Sequence, residues 1–261
     1  MRGQSIHTAV KFGKFSPEIL MDAFTKVARH YETLMQGVPY AMWVSYLKLV
    51  WAKVGVQPKE VLEVACGTGR LCRMLTGDGY RMTGVDISVP MIEEAKAMAQ
   101  SAGMEIRFEA QDAAAMRLGA TYDAAFSFFD SLNNITDPSS FLEALKRVKE
   151  HLNPNGAFLF DMNTAYSFEK KLFDQRELRE SEPIRYEWKS LWDANSRIST
   201  IRMDFWTNDE KFSETHVQRA YSISELETMM RTAGFSEVEF FDAYTLNRPH
   251  NQSDRIHVLG R

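Results

Sequence analysis

Short apolar runs alternate with longer amphipathic stretches through most of the chain. Residues 61–65, 81–85, 105–109, 122–128 and 157–162 read as buried strands, and helical periodicity fills most of the intervals between them. Strands separated by helices predict a parallel sheet covered on both faces, because each parallel pairing needs a crossover. Upstream, Ser16-Pro17 marks a helix start, and Leu20, Phe24, Val27, Ala28, Tyr31, Leu34 and Met35 follow at helical spacing. A second N-terminal helix is predicted over 40–56. Asp137-Pro138 opens a helix carrying Phe141, Leu142, Leu145, Val148 and Leu152, and Asn153-Pro154-Asn155-Gly156 stops it. Ser222-Ile223-Ser224-Glu225 is a capping box for a helix ending at Gly234. Residues 237–243 and 255–259 read as two last strands.

Between Ile184 and Tyr221 the pattern changes. Tyr186, Trp188, Leu191, Trp192, Ile198, Ile201, Met203, Phe205 and Trp206 fall in short runs separated by Asp193-Ala194-Asn195-Ser196 and Asn208-Asp209-Glu210. Turn residues at such intervals predict antiparallel strands. The expected organisation is a set of N-terminal helices over 1–56 covering a ligand site and a core over 57–261. An insertion at about 182–221 forms a lid or a dimer surface.

A glycine turn carries the candidate chemistry. In Val61-Leu62-Glu63-Val64-Ala65-Cys66-Gly67-Thr68-Gly69-Arg70 a strand runs into a turn that brings backbone close to a ligand, and a helix follows. Asp86 closes the next strand. A carboxylate there can accept hydrogen bonds from two vicinal ribose hydroxyls, the role of an acidic residue about 20 residues beyond such a turn. The expected ligand is therefore a nucleoside derivative. A nicotinamide fingerprint would require a third glycine where Cys72 stands.

Glu63 with Ala65-Cys66-Gly67-Thr68-Gly69, then Asp86-Ile87-Ser88-Val89-Pro90-Met91, then Gln111-Asp112-Ala113, resemble in their order the motifs of the class I S-adenosylmethionine-dependent methyltransferases. Ala65 departs from a commoner glycine. The overall pattern is similar to the small-molecule N-methyltransferase branch, including amino-sugar and glycine-type enzymes. The resemblance implies a Rossmann-like sheet of seven mostly parallel strands with the last antiparallel. The cofactor would be S-adenosyl-L-methionine and the product S-adenosyl-L-homocysteine. Glu63, Ala65, Gly67, Gly69, Asp86 and Ile87 would hold the cofactor, with Met91 against adenine, Asp112 and Ala113 at the adenine amino group and the Phe128 backbone at the methionyl amino group.

The carboxyl ends of later strands should bring the substrate side, which points to Phe129-Asp130-Ser131-Leu132-Asn133-Asn134 and Asp161-Met162-Asn163. A protonated nucleophile must lose its proton, and the ordered candidates to take it are Asp130, Tyr31 and His216. Tyr31, Tyr40 and Trp43 are candidates to close aromatic faces over the transferring cation. Asn134, Asn163 and Arg219 complete the substrate-side set. On pattern alone Tyr31 is a core residue of its helix's apolar face, and only the resemblance moves it to the site. Asp130 and Asn134 read equally as a turn-and-cap pair.

Composition narrows the partners. A net charge of −4 over 261 residues, without a run of lysines and arginines, disfavours nucleic acid. The Asn/Asp-Pro-Pro-aromatic motif of nucleic-acid adenine methyltransferases is absent, Phe129-Asp130-Ser131-Leu132 standing in its place. Two cysteines, Cys66 and Cys72, are too few for a disulfide framework, and the histidines lack metal-ligand spacing. No apolar signal core precedes the helices, so the expectation is a cytoplasmic monomer or homodimer, without membrane or metal, acting on a small-molecule amine or hydroxyl. Two alternatives stay open: a non-catalytic S-adenosylmethionine-binding module and a nicotinamide-dependent oxidoreductase.

Overall fold

The computed structural model describes residues 24–261, so the expected helix start at Ser16-Pro17 lies outside the described residues. The order of elements is α1 (Ala28–Leu34), α2 (Tyr40–Lys53), β1 (Glu60–Val64), α3 (Arg70–Gly77), β2 (Arg81–Asp86), α4 (Val89–Ser101), β3 (Arg107–Ala110), β4 (Tyr122–Ser127), α5 (Pro138–Glu150), β5 (Leu152–Asn163), α6 (Ala165–Glu169), β6 (Gln175–Glu177), β7 (Arg185–Asp193), β8 (Ile198–Trp206), β9 (Lys211–Arg219), α7 (Ile223–Thr232), β10 (Val238–Asp242) and β11 (Arg255–Gly260).

Seven strands form one sheet in the order β10-β11-β5-β4-β1-β2-β3. β1 to β5 pair in parallel, while β11 runs antiparallel to both β5 and β10. Strand order reverses beside β1, which opens the crevice where ligands of such sheets bind. The helices bury apolar stripes on both faces. Leu47 and Val50 of α2, Leu71 and Leu75 of α3 and Ile92 and Ala95 of α4 pack on one side. Phe141, Leu145 and Val148 of α5 with Leu226 and Met230 of α7 pack on the other. Each fully buried Leu or Phe side chain contributes about 1.5–3 kcal/mol of transfer free energy. The expected capping box starts α7, with Ser222 and Glu225 bonding each other's backbone N–H groups. Among the described residues, no helix is long and apolar enough to cross a membrane.

Strand β5 begins at Leu152 and not at residue 157, because Asn153-Pro154-Asn155-Gly156 stays in the strand as an irregularity against β4. The insertion also starts earlier than expected. Its antiparallel sheet, in the order β6-β7-β8-β9, takes its first strand from Gln175–Glu177. That strand is three polar residues long and has no apolar alternation to announce it.

Helix α1 connects this second sheet to the core. Val27 and Ala28 pack with Ile184, Phe205 and Phe212 of the insertion and with Met91 of α4. The helix has no side-chain cap of its own. Glu214 of β9 supplies one, accepting hydrogen bonds from the backbone N–H groups of Phe24 at 3.0 Å, Lys26 at 2.8 Å and Val27 at 3.0 Å. These are donors a helix start leaves unpaired, and a carboxylate there also opposes the helix dipole.

The glycine turn joins β1 to α3. Gly69 is the N-cap of α3 at φ +70°, and a Cβ there would lie 2.5 Å from the Phe108 ring of β3. Gly69→Ala therefore combines left-handed strain with a clash against a buried ring, and the expected loss in urea unfolding is about 2–3 kcal/mol. A loss under 0.5 kcal/mol would mean that Phe108 moves aside freely.

Candidate active site

A cavity of about 280 Å³ opens at the carboxyl ends of β1 to β4. One half of its wall comes from the glycine turn and the strand ends: Glu63, Ala65, Gly67, Asp86, Ile87, Met91, Asp112, Ala113 and Phe128. The other half comes from the N-terminal helices, the loop after β4 and the insertion. It includes Phe24, Tyr31, Tyr40, Trp43, Phe129, Ser131, Asn134, Thr215 and Val217. Of the residues singled out from sequence, the structure brings thirteen together on that wall and leaves Gly69, Asp130, Asn163, His216 and Arg219 off it.

Asp86 is the hub of the first half. Its Oδ2 accepts the Gly67 N–H at 2.8 Å and its Oδ1 accepts the Ser88 N–H at 2.9 Å. Burial pushes its pKa up, opposed by these backbone donors. Gly67 adopts φ +53°, and a Cβ there would meet nothing nearer than the Tyr31 ring at 4.0 Å. Tyr31 thus lies over the turn. Ala65 also occupies the left-handed region, at φ +58°, which accounts physically for a glycine preference at that position.

Glu63 is 4% exposed, and its carboxyl oxygen accepts the Cys72 thiol at 2.9 Å. Burial raises its pKa to about 8, only partly offset by the Cys72 hydrogen bonds. Burial likewise pushes up the Cys72 and Cys66 thiols and the Tyr31 and Tyr40 phenols. Near neutral pH these groups are protonated, so neither tyrosine supplies a phenolate base.

Helix α1 is pinned over the turn through Glu32. That carboxylate accepts the Thr68 hydroxyl at 2.5 Å and pairs with Arg73 at 3.1 Å and Arg70 at 3.3 Å. The Arg70 guanidinium also lies 4.7 Å from the centroid of the Tyr40 ring. Glu32 carried no sequence signal, since an acidic residue on a polar helix face looks solvated.

The five residues off the wall have other partners. Asp130 accepts Gln218 Nε2 at 2.7 Å and pairs with Arg255 at 2.8 Å. Arg255 also pairs with the buried Asp161 of β5. His216 Nε2 lies 2.9 Å from Glu214 Oε2, with its ring 4.2 Å from that of Phe24. The Asn163 backbone exchanges hydrogen bonds with the Asn133 side chain at 2.9 and 3.1 Å. Arg219 turns toward Tyr221 and Glu225. Gly69 faces Phe108 and not the cavity. Thr215 and Val217, which do line the cavity, alternate with His216 along β9. Period-2 alternation could have indicated them, but only once the cavity-facing side of β9 was known.

A sheet of this order, with a glycine turn and a strand-end carboxylate at its switch point, defines a nucleoside-binding α/β protein. Residues 61–156 match the family described as methyltransferase domain. A Geobacillus sp. (strain WCH70) relative with a methyltransferase designation is 28% identical over 244 residues, 91% of this chain and 99% of its own. The crystal structure of an S-adenosylmethionine-dependent methyltransferase from Clostridium acetobutylicum has the same fold, with a TM-score of 0.80 at 24% identity, covering 90% of this chain and 97% of that one. The sugar N-methyltransferase KedS8 from Streptoalloteichus sp. has a TM-score of 0.74 at 16% identity, covering 99% and 98%. The chain therefore carries a methyltransferase domain on the fold of S-adenosylmethionine-dependent methyltransferases.

The site also sets a pH dependence of stability. A carboxyl with its folded pKa raised from 4.5 to about 8 binds its proton more tightly when folded, so its contribution is lost as pH rises across that window. His257, lowered by burial from 6.5 to about 3, acts in the opposite sense, adding stability as pH rises from 3 to 6.5. Above pH 6.5 Glu63 acts without that opposition. Ligand-free protein should lose stability between pH 6.5 and 8, by up to about 1.4 kcal/mol per pH unit. Glu63→Gln should flatten that slope in urea unfolding at stepped pH, and an unchanged slope would refute the assignment.

Proposed function

We propose that this enzyme methylates an amine of a small molecule in this cavity. The observation that carries the amine is the lack of an unengaged base on the acceptor half of the described wall. Asp130 and His216 are each held by buried partners. Asp137, at the cavity's edge, is capped by the Ser140 N–H and by two serine hydroxyls, which lower its pKa. A hydroxyl acceptor needs a base to take its proton during attack. An amine that has shed its proton to water needs none, and its methylated product can lose the remaining proton to water.

The cofactor half of the wall suits the donor. In our reading Asp86 holds the ribose hydroxyls with the lone pairs its two N–H partners leave free. Ile87 and Met91 flank the adenine, with Asp112 and Ala113 at its amino edge. Glu63, Ala65, Gly67 and Phe128 surround the methionyl group. When bound, S-adenosylmethionine supplies a methyl carbon that the amine lone pair takes as the carbon–sulfur bond breaks and its electrons remain on sulfur. The residues have then to align and dehydrate the reactants, work that suits the aromatic rings of Tyr31, Tyr40 and Trp43. Asn134 is the substrate-side polar contact in this reading. Asp130, Asn163, His216 and Arg219 act from behind, as supports for the loop after β4 and for β9. The insertion serves as a lid, which its contribution of Thr215 and Val217 to the wall supports. The fold shared with a sugar N-methyltransferase agrees with a small amine acceptor.

Calorimetric titration with S-adenosylhomocysteine, with NADH as control, tests the cofactor half. Asp86→Ala should weaken binding by about 1.5–3 kcal/mol, the cost of hydrogen bonds to a charged acceptor. An unchanged Kd would sink the ribose assignment. Turnover of labelled S-adenosylmethionine with alcohols but with no amine would overturn the amine reading.

A further inference from the structure

We infer that the acceptor half of the cavity selects against anions, so the acceptor is a neutral or cationic amine on an apolar body, without phosphate or carboxylate. This rests on the cavity being the methyl-transfer site. The described wall carries four acids and a single base, Arg70; Glu63, Asp86 and Asp112 stand on the cofactor half, with Glu63 kept protonated by burial, and Asp137 lies at the cavity's edge. Arg70 is already engaged by Glu32 at 3.3 Å and by the face of Tyr40.

The basic side chains near the wall are engaged as well. Arg73 pairs with Glu32, His216 with Glu214, and Arg255 with both Asp130 and Asp161. Arg219 lies over Tyr221 and 3.9 Å from Glu225. None of them is available to a ligand without breaking a contact that holds α1, β9 or the loop after β4.

What remains on the acceptor side is the rings of Phe24, Tyr31, Tyr40, Trp43 and Phe129, with Thr215, Val217 and the uncharged polar side chains of Ser131 and Asn134. Aromatic faces carry negative potential, which attracts an ammonium group and repels an anion. An anion placed there gives up water and gains no counter-charge. The positive charge of a bound donor passes to the methylated nitrogen and leaves with its proton to water, so an anionic group on the product would be left unpaired. A cationic amine is drawn to the wall, sheds its proton to water and attacks as the neutral species.

Three probes of one shape test this in protein saturated with S-adenosylhomocysteine: tyramine, tyrosol and 4-hydroxyphenylacetate, titrated by calorimetry and tryptophan fluorescence. Tyramine and tyrosol should bind at least tenfold more tightly than the acid. Thr215→Lys, which adds a cation to the wall, should shrink that ratio severalfold while leaving S-adenosylhomocysteine affinity unchanged. An acid that binds as tightly as tyramine, or three probes that all fail to bind, overturns the selection. Failure of S-adenosylhomocysteine itself to bind wild-type protein would instead strike the cofactor reading, so the two failures are distinct.

Discussion

One carboxylate fixes the geometry on which the cavity depends. Asp86 stands at the end of β2, next to β1 in the parallel ladder, and accepts the Gly67 N–H from the turn that leaves β1. Its second oxygen accepts the Ser88 N–H at the entrance to α4. A single side chain thus sets the spacing between two strand ends, a turn and a helix start. An ionised carboxylate offers about four acceptor sites, so two structural donors leave room for two ligand hydroxyls. The group that would recognise the ribose is the same group that builds its surroundings.

The cap over this floor depends on carboxylates too, and for a different reason. Helix α1 has seven residues, far short of the length at which an isolated helix is stable in water. Its order comes from tertiary contacts: Glu214 at its first N–H groups, Glu210 beside Arg29 and His30, and its own Glu32 reaching Thr68, Arg70 and Arg73. Two of these carboxylates come from the insertion and one from the helix. The helix is therefore held between the second sheet and the glycine turn, with Tyr31 on the surface that meets the cavity.

Much of the half of the wall built from the glycine turn and the strand ends was legible in the sequence because its signals are local. A strand, a glycine turn and a strand-end aspartate lie within a short stretch, and each has a steric or electrostatic reason to be where it is. The other half and its supports were not legible in the same way. Asp130 looked free, but its partners Gln218 and Arg255 are 88 and 125 residues away. His216 is packed against Phe24 and paired with Glu214, a residue that also binds the chain 190 positions earlier. Burial and pairing at such separations leave no periodic trace. Gly69 shows the converse limit, since a glycine motif states that a Cβ is unwelcome but not whether a ligand or Phe108 excludes it.

Strand β9 shows how the insertion and the site are coupled. Its even-numbered residues Glu214, His216 and Gln218 are all buried, and they hold the start of α1 and the loop that carries Asp130. Its odd-numbered residues Thr215 and Val217 line the cavity. Because side chains alternate with a period of two, a slip of one residue against β8 would exchange the two sets, putting a buried carboxylate into the cavity and two anchors out of reach. The nine-residue register with β8, from Ile198 opposite Arg219 to Trp206 opposite Lys211, guards against that slip. The insertion can thus vary the cavity wall on one face only while the other face keeps its polar anchors. The shape of the cavity and the seating of the cap are in this way two consequences of one strand's register.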